Sequence, residues 1–203
     1  NGLVKVGVSD LMEDIHLTGA FRIGSGLRDN EWFMNYQNLR RRVDWGGSYY
    51  RNVQEFGFNG SNLTARQFTN LYQANVSYPL NEVRRLALKT GYRRDKNVFL
   101  SPFGLEIPNE TEQYSVSSIE FVHDNTLNPE NNIWEGFRGK VFFDYNAQIG
   151  KKKTSLGRNT FNVGFDVRNY YPIYRNMIWA VRAGGDFSFG NQKLVYFLGG
   201  TDG

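Results

Sequence analysis

Apolar and polar residues alternate along most of the chain with a period of two, which is the period of a β-strand. One face of the segment 137–147 carries Phe137, Gly139, Val141, Phe143, Tyr145 and Ala147. The other face of this segment is mainly polar and carries Arg138, Lys140, Phe142, Asp144 and Asn146. The same alternation recurs at 15–22, 71–78, 85–93 and 161–168. The pattern predicts an all-β protein.

The alternating segments predict ten strands, at 3–9, 15–23, 31–40, 45–58, 67–78, 84–93, 114–123, 136–149, 158–169 and 176–188. A short apolar run at 193–198 follows them. Every second connection is short, whereas the others are often longer, above all Arg94–Gln113. Short turns at one end and long loops at the other are typical of an outer-membrane β-barrel. The connection 124–135 is an exception, because it is long at the end where the turns are short.

A soluble β-sandwich also alternates, but its apolar faces pack against each other and its polar faces meet bulk water. Two features favour a membrane barrel. Strands of about ten residues match a tilted membrane crossing, whereas strands of soluble proteins average about five or six residues. Aromatic residues also gather near the predicted strand ends, as in interfacial girdles, for example Trp32, Trp45, Trp134 and Tyr171. We therefore predict an antiparallel transmembrane β-barrel, with the soluble sandwich as the alternative.

The composition agrees with this fold and excludes some functions. The 203 residues include 16 Phe, 12 Tyr and 4 Trp, yet the mean hydropathy is −0.54, which alternating strands produce when one face meets lipid and the other water. The absence of cysteine excludes disulfides, thiolate metal sites and a cysteine nucleophile from this chain. A net charge of +4 does not call for a nucleic-acid partner. No apolar run approaches the roughly 18 residues of a transmembrane helix, and no domain linker interrupts 1–203.

Charged residues on the predicted inward face are the main candidates for chemistry. Asp144 and Asp166 lie on the same face of adjacent strands, and paired carboxylates can perform acid–base catalysis. We favour instead a charge network in a wet lumen, because the same face carries Arg138, Lys140, Arg168 and Arg182. His16 and His123 lack companion ligands at metal-binding spacing, and no nucleophile elbow or phosphate loop is present. We predict no catalytic residue, metal site or cofactor.

Basic clusters occur at both ends of the predicted strands. Arg40–Arg42 and Arg84–Arg85 lie at short turns, whereas Arg93–Arg94 and Lys151–Lys153 lie at the outer loops. The outer clusters suit anionic lipid head groups, and a solvated loop is the alternative. Nucleic-acid binding requires basic residues and stacking aromatics on one accessible surface. A lipid-facing aromatic stripe is not accessible, so we expect no nucleic-acid partner.

Three stretches resemble a known family. They are Glu-Phe-Val-His-Asp-Asn-Thr at 120–126, Gly-Phe-Asp-Val-Arg at 164–168 and Lys-Leu-Val-Tyr-Phe-Leu-Gly-Gly at 193–200. They look like the barrels of the BamA-like outer-membrane superfamily, and most like the C-terminal barrel of TolB-like propeller proteins. The resemblance covers about 119–203 and is weaker over 1–118, where Tyr36–Arg42 and Tyr92–Asp95 carry it.

The resemblance implies roles for particular residues. Asp124, Pro129 and Gly136 match a turn of the family that leads into the next long strand. Gly199 and Gly200 match the entry into the sixth outer loop, whose Arg-Gly motif follows a few residues later in the family. Here only 201–203 follow, so that arginine is not carried over. Such barrels have about sixteen strands, and we expect these ten to be roughly the second to the eleventh, with the first and the final strands missing.

The resemblance also implies a function and a location. It implies a barrel of the bacterial outer membrane that anchors a periplasmic module or takes part in outer-membrane protein assembly or translocation. The expected partners are outer-membrane lipid and lipopolysaccharide, together with periplasmic domains or other outer-membrane proteins. The alternatives are a passive pore or uptake channel, an outer-membrane enzyme, and a soluble β-sandwich binding domain.

Overall fold

The computed structural model describes residues 2–23, 30–57, 64–100, 108–127, 133–150, 157–175 and 177–193. The regular elements of these ranges are ten strands: β1 (Gly2–Ser9), β2 (Ile15–Ile23), β3 (Glu31–Asn38), β4 (Asp44–Gly57), β5 (Thr64–Asn81), β6 (Arg84–Leu100), β7 (Glu110–Asp124), β8 (Gly136–Ile149), β9 (Asn159–Tyr174) and β10 (Met177–Gly190). No helix within these ranges has the length and apolar character needed to cross a membrane. The all-β prediction is confirmed.

The ten strands form one antiparallel sheet whose strand order is the order of the chain. Each strand pairs with the strand before it and the strand after it, so the sheet is a continuous series of hairpins. β1 and β10 lie at the two edges and do not pair with each other in the described part of the chain. The sheet is therefore open and not closed into a barrel.

The predicted strands all exist, but the predicted loop Arg94–Gln113 is wrong in its extent. β6 continues to Leu100 and β7 begins at Glu110, and Asn97 pairs with Glu110 in the ladder between them. This part of the ladder consists mainly of charged and amide side chains, so a search for apolar alternation ends the strands too early. Strands of 14–18 residues from β4 to β7 exceed the roughly 9–11 residues of a membrane crossing.

The connection between β7 and β8 is long because the hairpin continues beyond the two strands. Leu127 and Glu135 form an isolated bridge, and the Leu127 amide donates to the Glu135 carbonyl at 2.8 Å. The Trp134 amide donates back to the Leu127 carbonyl at 2.9 Å. The first and last residues of the connection 124–135 therefore lengthen the paired stem of the β7–β8 hairpin. The apolar run predicted at 193–198 lies outside the described residues except for Lys193.

The two faces of the sheet have opposite character. We call one the apolar face, defined by a row of directly paired residues that runs from β4 to β10: Trp45, Val76, Leu88, Ile119, Phe143, Val163 and Phe187. The opposite face is the polar face, on which the paired residues Ser118, Asp144 and Asn162 lie. Adjacent residues of a strand point to opposite faces, so both faces follow from the register.

Exposure is inverted relative to a soluble protein. Among the paired residues of β5, β6, β7 and β8, every exposed large hydrophobic side chain lies on the apolar face, including Val76 at 42% and Ile119 at 48% exposure. The buried polar residues Asp95, Gln148, Thr160 and Asn162 all lie on the polar face. Soluble proteins bury their apolar face instead.

Candidate functional site

The six charged residues predicted to share one face do lie together on the polar face of β8, β9 and β10. Arg138 is opposite Arg168, which is opposite Arg182. Lys140 is opposite Asp166, and Asp144 is opposite Asn162. Five of these side chains therefore lie in two adjacent rows of the polar face, whereas Asp144 lies two rows further along β8.

Asp166 is the centre of this cluster. Its Oδ1 accepts a hydrogen bond from Arg168 Nε at 2.8 Å, and its Oδ2 accepts a second from Arg168 at 3.3 Å. Arg182 donates to Oδ2 from Nε at 2.9 Å and also approaches it through its terminal nitrogen at 2.7 Å. One carboxylate thus bridges two guanidinium groups that the register would otherwise leave side by side.

Two ion pairs connect β8 to β7. Arg138 Nε lies 3.2 Å from Asp124 Oδ2, and Lys140 Nζ lies 3.7 Å from Glu120 Oε2. The Lys140 ammonium also lies 5.2 Å from the centre of the Phe142 ring, within the range of a cation–π contact. The cluster lines an open cleft of about 1030 Å³. Charged side chains line this cleft together with the rings of Phe142 and Phe165.

The paired-carboxylate interpretation is not supported by the geometry. Asp144 and Asp166 lie two rows apart, with the pair Phe142–Gly164 between them. That separation is about 13 Å along the strand, which is too far for two carboxyl groups to share a proton. Asp166 is also fully engaged by arginines. What the cluster can do chemically is connect β7 to β8 and β9 to β10 by ion pairs on the polar face.

Asp124 organises the start of the turn between β7 and β8. Its Oδ1 accepts hydrogen bonds from the Thr126 hydroxyl at 2.6 Å and from the Thr126 amide at 3.2 Å. The turn ends at Gly136, which has a positive φ of 123°. An added Cβ there would lie 2.7 Å from the Asn125 carbonyl oxygen and the Thr126 Cα. Only glycine fits this position without strain, which explains why the turn has a glycine at 136. Pro129, Gly199 and Gly200 lie outside the described residues.

Gly164 has a steric role in the same region. A Cβ at this position would collide with the ring of Phe142 and the carboxylate of Asp186. The glycine of the Gly-Phe-Asp-Val-Arg stretch therefore makes room for an aromatic ring on the otherwise polar face. This ring lies beside Lys140 and contributes to the wall of the cleft.

A second charged cluster at the other end of the polar face was not predicted from the sequence. Arg158 donates to both oxygens of Glu112, at 2.9 and 3.1 Å, and the Tyr114 hydroxyl donates to Glu112 at 2.8 Å. Arg93 lies 3.2 Å from Asp95 and 4.5 Å from the centre of the Tyr114 ring. The hydrogen bond with Tyr114, followed by the charge of Glu112, raises the pKa of the Arg158 guanidinium. Extending the alternation of β6 and β7 into their charged halves would have indicated this cluster.

Neither histidine lies in a metal site that the structure describes. His123 accepts a hydrogen bond from Arg84 Nε at 3.2 Å and lies beside the Phe137 ring. His16 pairs with Ser9 and Gln37 in the ladder. The described residues contain no group of three or more His, Asp or Glu side chains arranged to hold a metal ion.

Comparison with known proteins adds no family. No protein-family model matches the chain, and no curated protein matches it.

Proposed function

We propose that the chain forms part of a BamA-like β-barrel of the bacterial outer membrane, which anchors a periplasmic module or takes part in outer-membrane protein assembly or translocation. The observation that carries the membrane part of this proposal is the exposed apolar face, which continues across neighbouring strands through the register. Monomeric soluble proteins rarely expose contiguous apolar patches larger than a few hundred Å². Lipid removes this cost, because it solvates the apolar side chains.

The height of the apolar face fits a bilayer. On β9 the apolar-face positions run from Phe161 to Ile173, which is about 40 Å along a strand. At a tilt of about 45° this distance corresponds to about 28 Å across the membrane, close to the apolar band of about 25 Å in outer-membrane barrels. The polar face would then line the interior, where the cluster around Asp166 meets water.

Cysteine accessibility tests the membrane orientation, and the chain itself contains no cysteine. The full-length protein carrying Phe143→Cys should react with a lipid-soluble maleimide in its native membrane but not with a charged, water-soluble maleimide. The matched variant Asn146→Cys, on the polar face of the same strand, should react with the water-soluble reagent. Phe143 faces lipid in this proposal, whereas Asn146 faces a wet interior.

Unfolding in urea is the control, because both thiols should then react with the charged reagent. Labelling of Phe143→Cys by the charged reagent in intact membranes would contradict the lipid-facing orientation. Recovery of the protein in the membrane-free fraction would return the interpretation to a soluble β-sandwich.

The assembly role rests on the resemblance of 119–203, including the Asp124–Gly136 turn. The full-length protein reconstituted in phospholipid vesicles should accelerate the folding of a urea-denatured outer-membrane barrel, measured by the heat-dependent mobility shift of the substrate on a gel. Empty vesicles are the control. A sustained conductance across a planar bilayer without acceleration of folding would favour the alternative, a passive pore, which the charged cleft of about 1030 Å³ also accommodates.

A further inference from the structure

Four cationic side chains lie on the apolar face at the end of the sheet where the longer connections are. Arg51 belongs to β4, Arg66 to β5, and Arg94 and Lys96 to β6. In the ladder, Arg51 is opposite Asn70, and Asn70 is opposite Arg94. The sheet thus changes at this level from an apolar surface to a basic one. We call these four residues the basic cluster.

The basic cluster surrounds a cleft of about 600 Å³ that is also lined by Phe68 and Asn70. The Arg51 guanidinium lies 5.9 Å from the centre of the Phe68 ring, and its Nε has no hydrogen-bond acceptor among the described residues. Arg66 pairs with Glu55 at 3.3 Å. Among the described residues, Glu55 is the one carboxylate on the apolar face beside these four cations, so these five side chains carry a net charge of three positive units.

A row of tyrosines lies immediately below the basic cluster. Tyr49, Tyr72 and Tyr92 are directly paired across β4, β5 and β6, with ring centres 4.9 and 6.5 Å apart. The row of Arg51 and Arg94 lies two residues further, about 7 Å along the strands. Tyrosines mark the membrane–water interface of barrels, so the basic cluster stands at the level of lipid head groups.

We propose that the basic cluster binds the phosphate groups of lipopolysaccharide in the outer leaflet, an inference that rests on the proposed outer-membrane location. Arginine and lysine bind phosphate through charge-assisted hydrogen bonds. The adjoining apolar face below the tyrosines accommodates acyl chains of the same molecule. An amphiphile with an anionic head therefore matches both parts of this surface.

The width of the basic cluster favours a head group with more than one phosphate. Arg51 and Arg94 lie on strands separated by β5, so their backbones are about 10 Å apart. A single phosphate contacts only part of such a cluster, whereas a glycolipid with two phosphates can engage both sides. A single-phosphate phospholipid should accordingly bind more weakly than bisphosphorylated lipid A.

The test compares binding of bisphosphorylated and dephosphorylated lipid A to the full-length protein in phosphatidylcholine nanodiscs, measured by native mass spectrometry. The double variant Arg94→Gln/Lys96→Gln should bind bisphosphorylated lipid A about tenfold more weakly than the unmodified protein. It should bind dephosphorylated lipid A equally well. Phosphatidylglycerol should show a smaller difference, because it carries one phosphate.

The matched control is Arg40→Gln/Arg41→Gln, which removes two positive charges from the turn between β3 and β4 at the opposite end of the sheet. This control should retain full affinity. An equal loss in both double variants would overturn the inference and indicate non-specific attraction, as would equal binding of phosphorylated and dephosphorylated lipid A. If Arg94→Gln/Lys96→Gln inserts into bilayers normally and binds bisphosphorylated lipid A as tightly as the unmodified protein, the lipopolysaccharide site is wrong but the proposed function is unaffected. A protein that does not insert at all would overturn the proposed function as well.

Discussion

Replacement of Ile119 by arginine should lower the free energy of unfolding of the membrane-inserted protein by about 2–4 kcal/mol. Ile119 lies on the apolar face in the middle of β7, with Leu88 and Phe143 directly opposite on the two neighbouring strands. If the apolar face meets lipid, an arginine there would bring a charge into the apolar band between Leu88 and Phe143, where neither water nor a carboxylate solvates it. Urea titration of the protein in phospholipid vesicles, followed by tryptophan fluorescence, measures the change.

Ser118→Arg provides the matched control, because Ser118 is adjacent in sequence but lies on the polar face. Its partners in the ladder are Lys89 and Asp144, and a new arginine beside Asp144 can form an ion pair. We expect a change within about 0.5 kcal/mol at this position. If Ile119→Arg were as mild as Ser118→Arg, the apolar face would be in contact with water, and the proposal of a lipid-facing sheet would be wrong.

Gly136→Ala should destabilise the protein by about 1–3 kcal/mol through its backbone conformation alone. The positive φ of 123° strains any L-residue with a side chain, and the added methyl group would press on the backbone of Asn125 and Thr126. Relief of this contact requires movement of the turn, which would also disturb the hydrogen bond from the Phe137 amide to the Asn125 side chain, 2.7 Å long. The same urea titration reports the loss.

Gly47→Ala tests whether this effect comes from the turn geometry or from the loss of a glycine in general. Gly47 lies within β4, and the nearest atom to an added Cβ is the Gln73 carbonyl oxygen at 3.5 Å, an ordinary contact. We expect this variant to be neutral or slightly more stable, because alanine reduces the entropy of the unfolded chain. Equal losses in both variants would show that the conformation of Gly136 is not the cause.

Strand positions followed directly from the alternation wherever apolar side chains marked one face. The predictions 15–23 and 136–149 coincide with β2 and β8, because each segment carries uninterrupted alternation between recognisable turns. The prediction failed at 94–100 in β6 and at 110–113 in β7. Charged residues of these segments lie on both faces of the sheet. There the strands are held by the backbone ladder, by the Arg93–Asp95 pair within β6 and by the pair between Arg158 and Glu112, and hydrophobic periodicity gives no signal.

The charged residues of the site could be assigned to a face but not to partners. Parity along the strand placed Arg138, Asp166 and Arg182 on one face, since side chains alternate. Which arginine contacts which carboxylate depends on the register between strands, and one residue of slip would have changed every pair. The sequence also gave no reason to expect that Asp166 binds two arginines while Asp144 has no ion pair within the described residues.

The order of the strands bears on how the protein reaches its folded state. Every strand pairs only with its neighbours in sequence, so contacts form between segments a few tens of residues apart, and no distant ends have to meet within the described sheet. Low contact order of this kind favours rapid folding. The sheet can therefore grow from either edge by one strand at a time. Each added strand forms hydrogen bonds with the free backbone N–H and C=O groups of the strand that was previously at the edge.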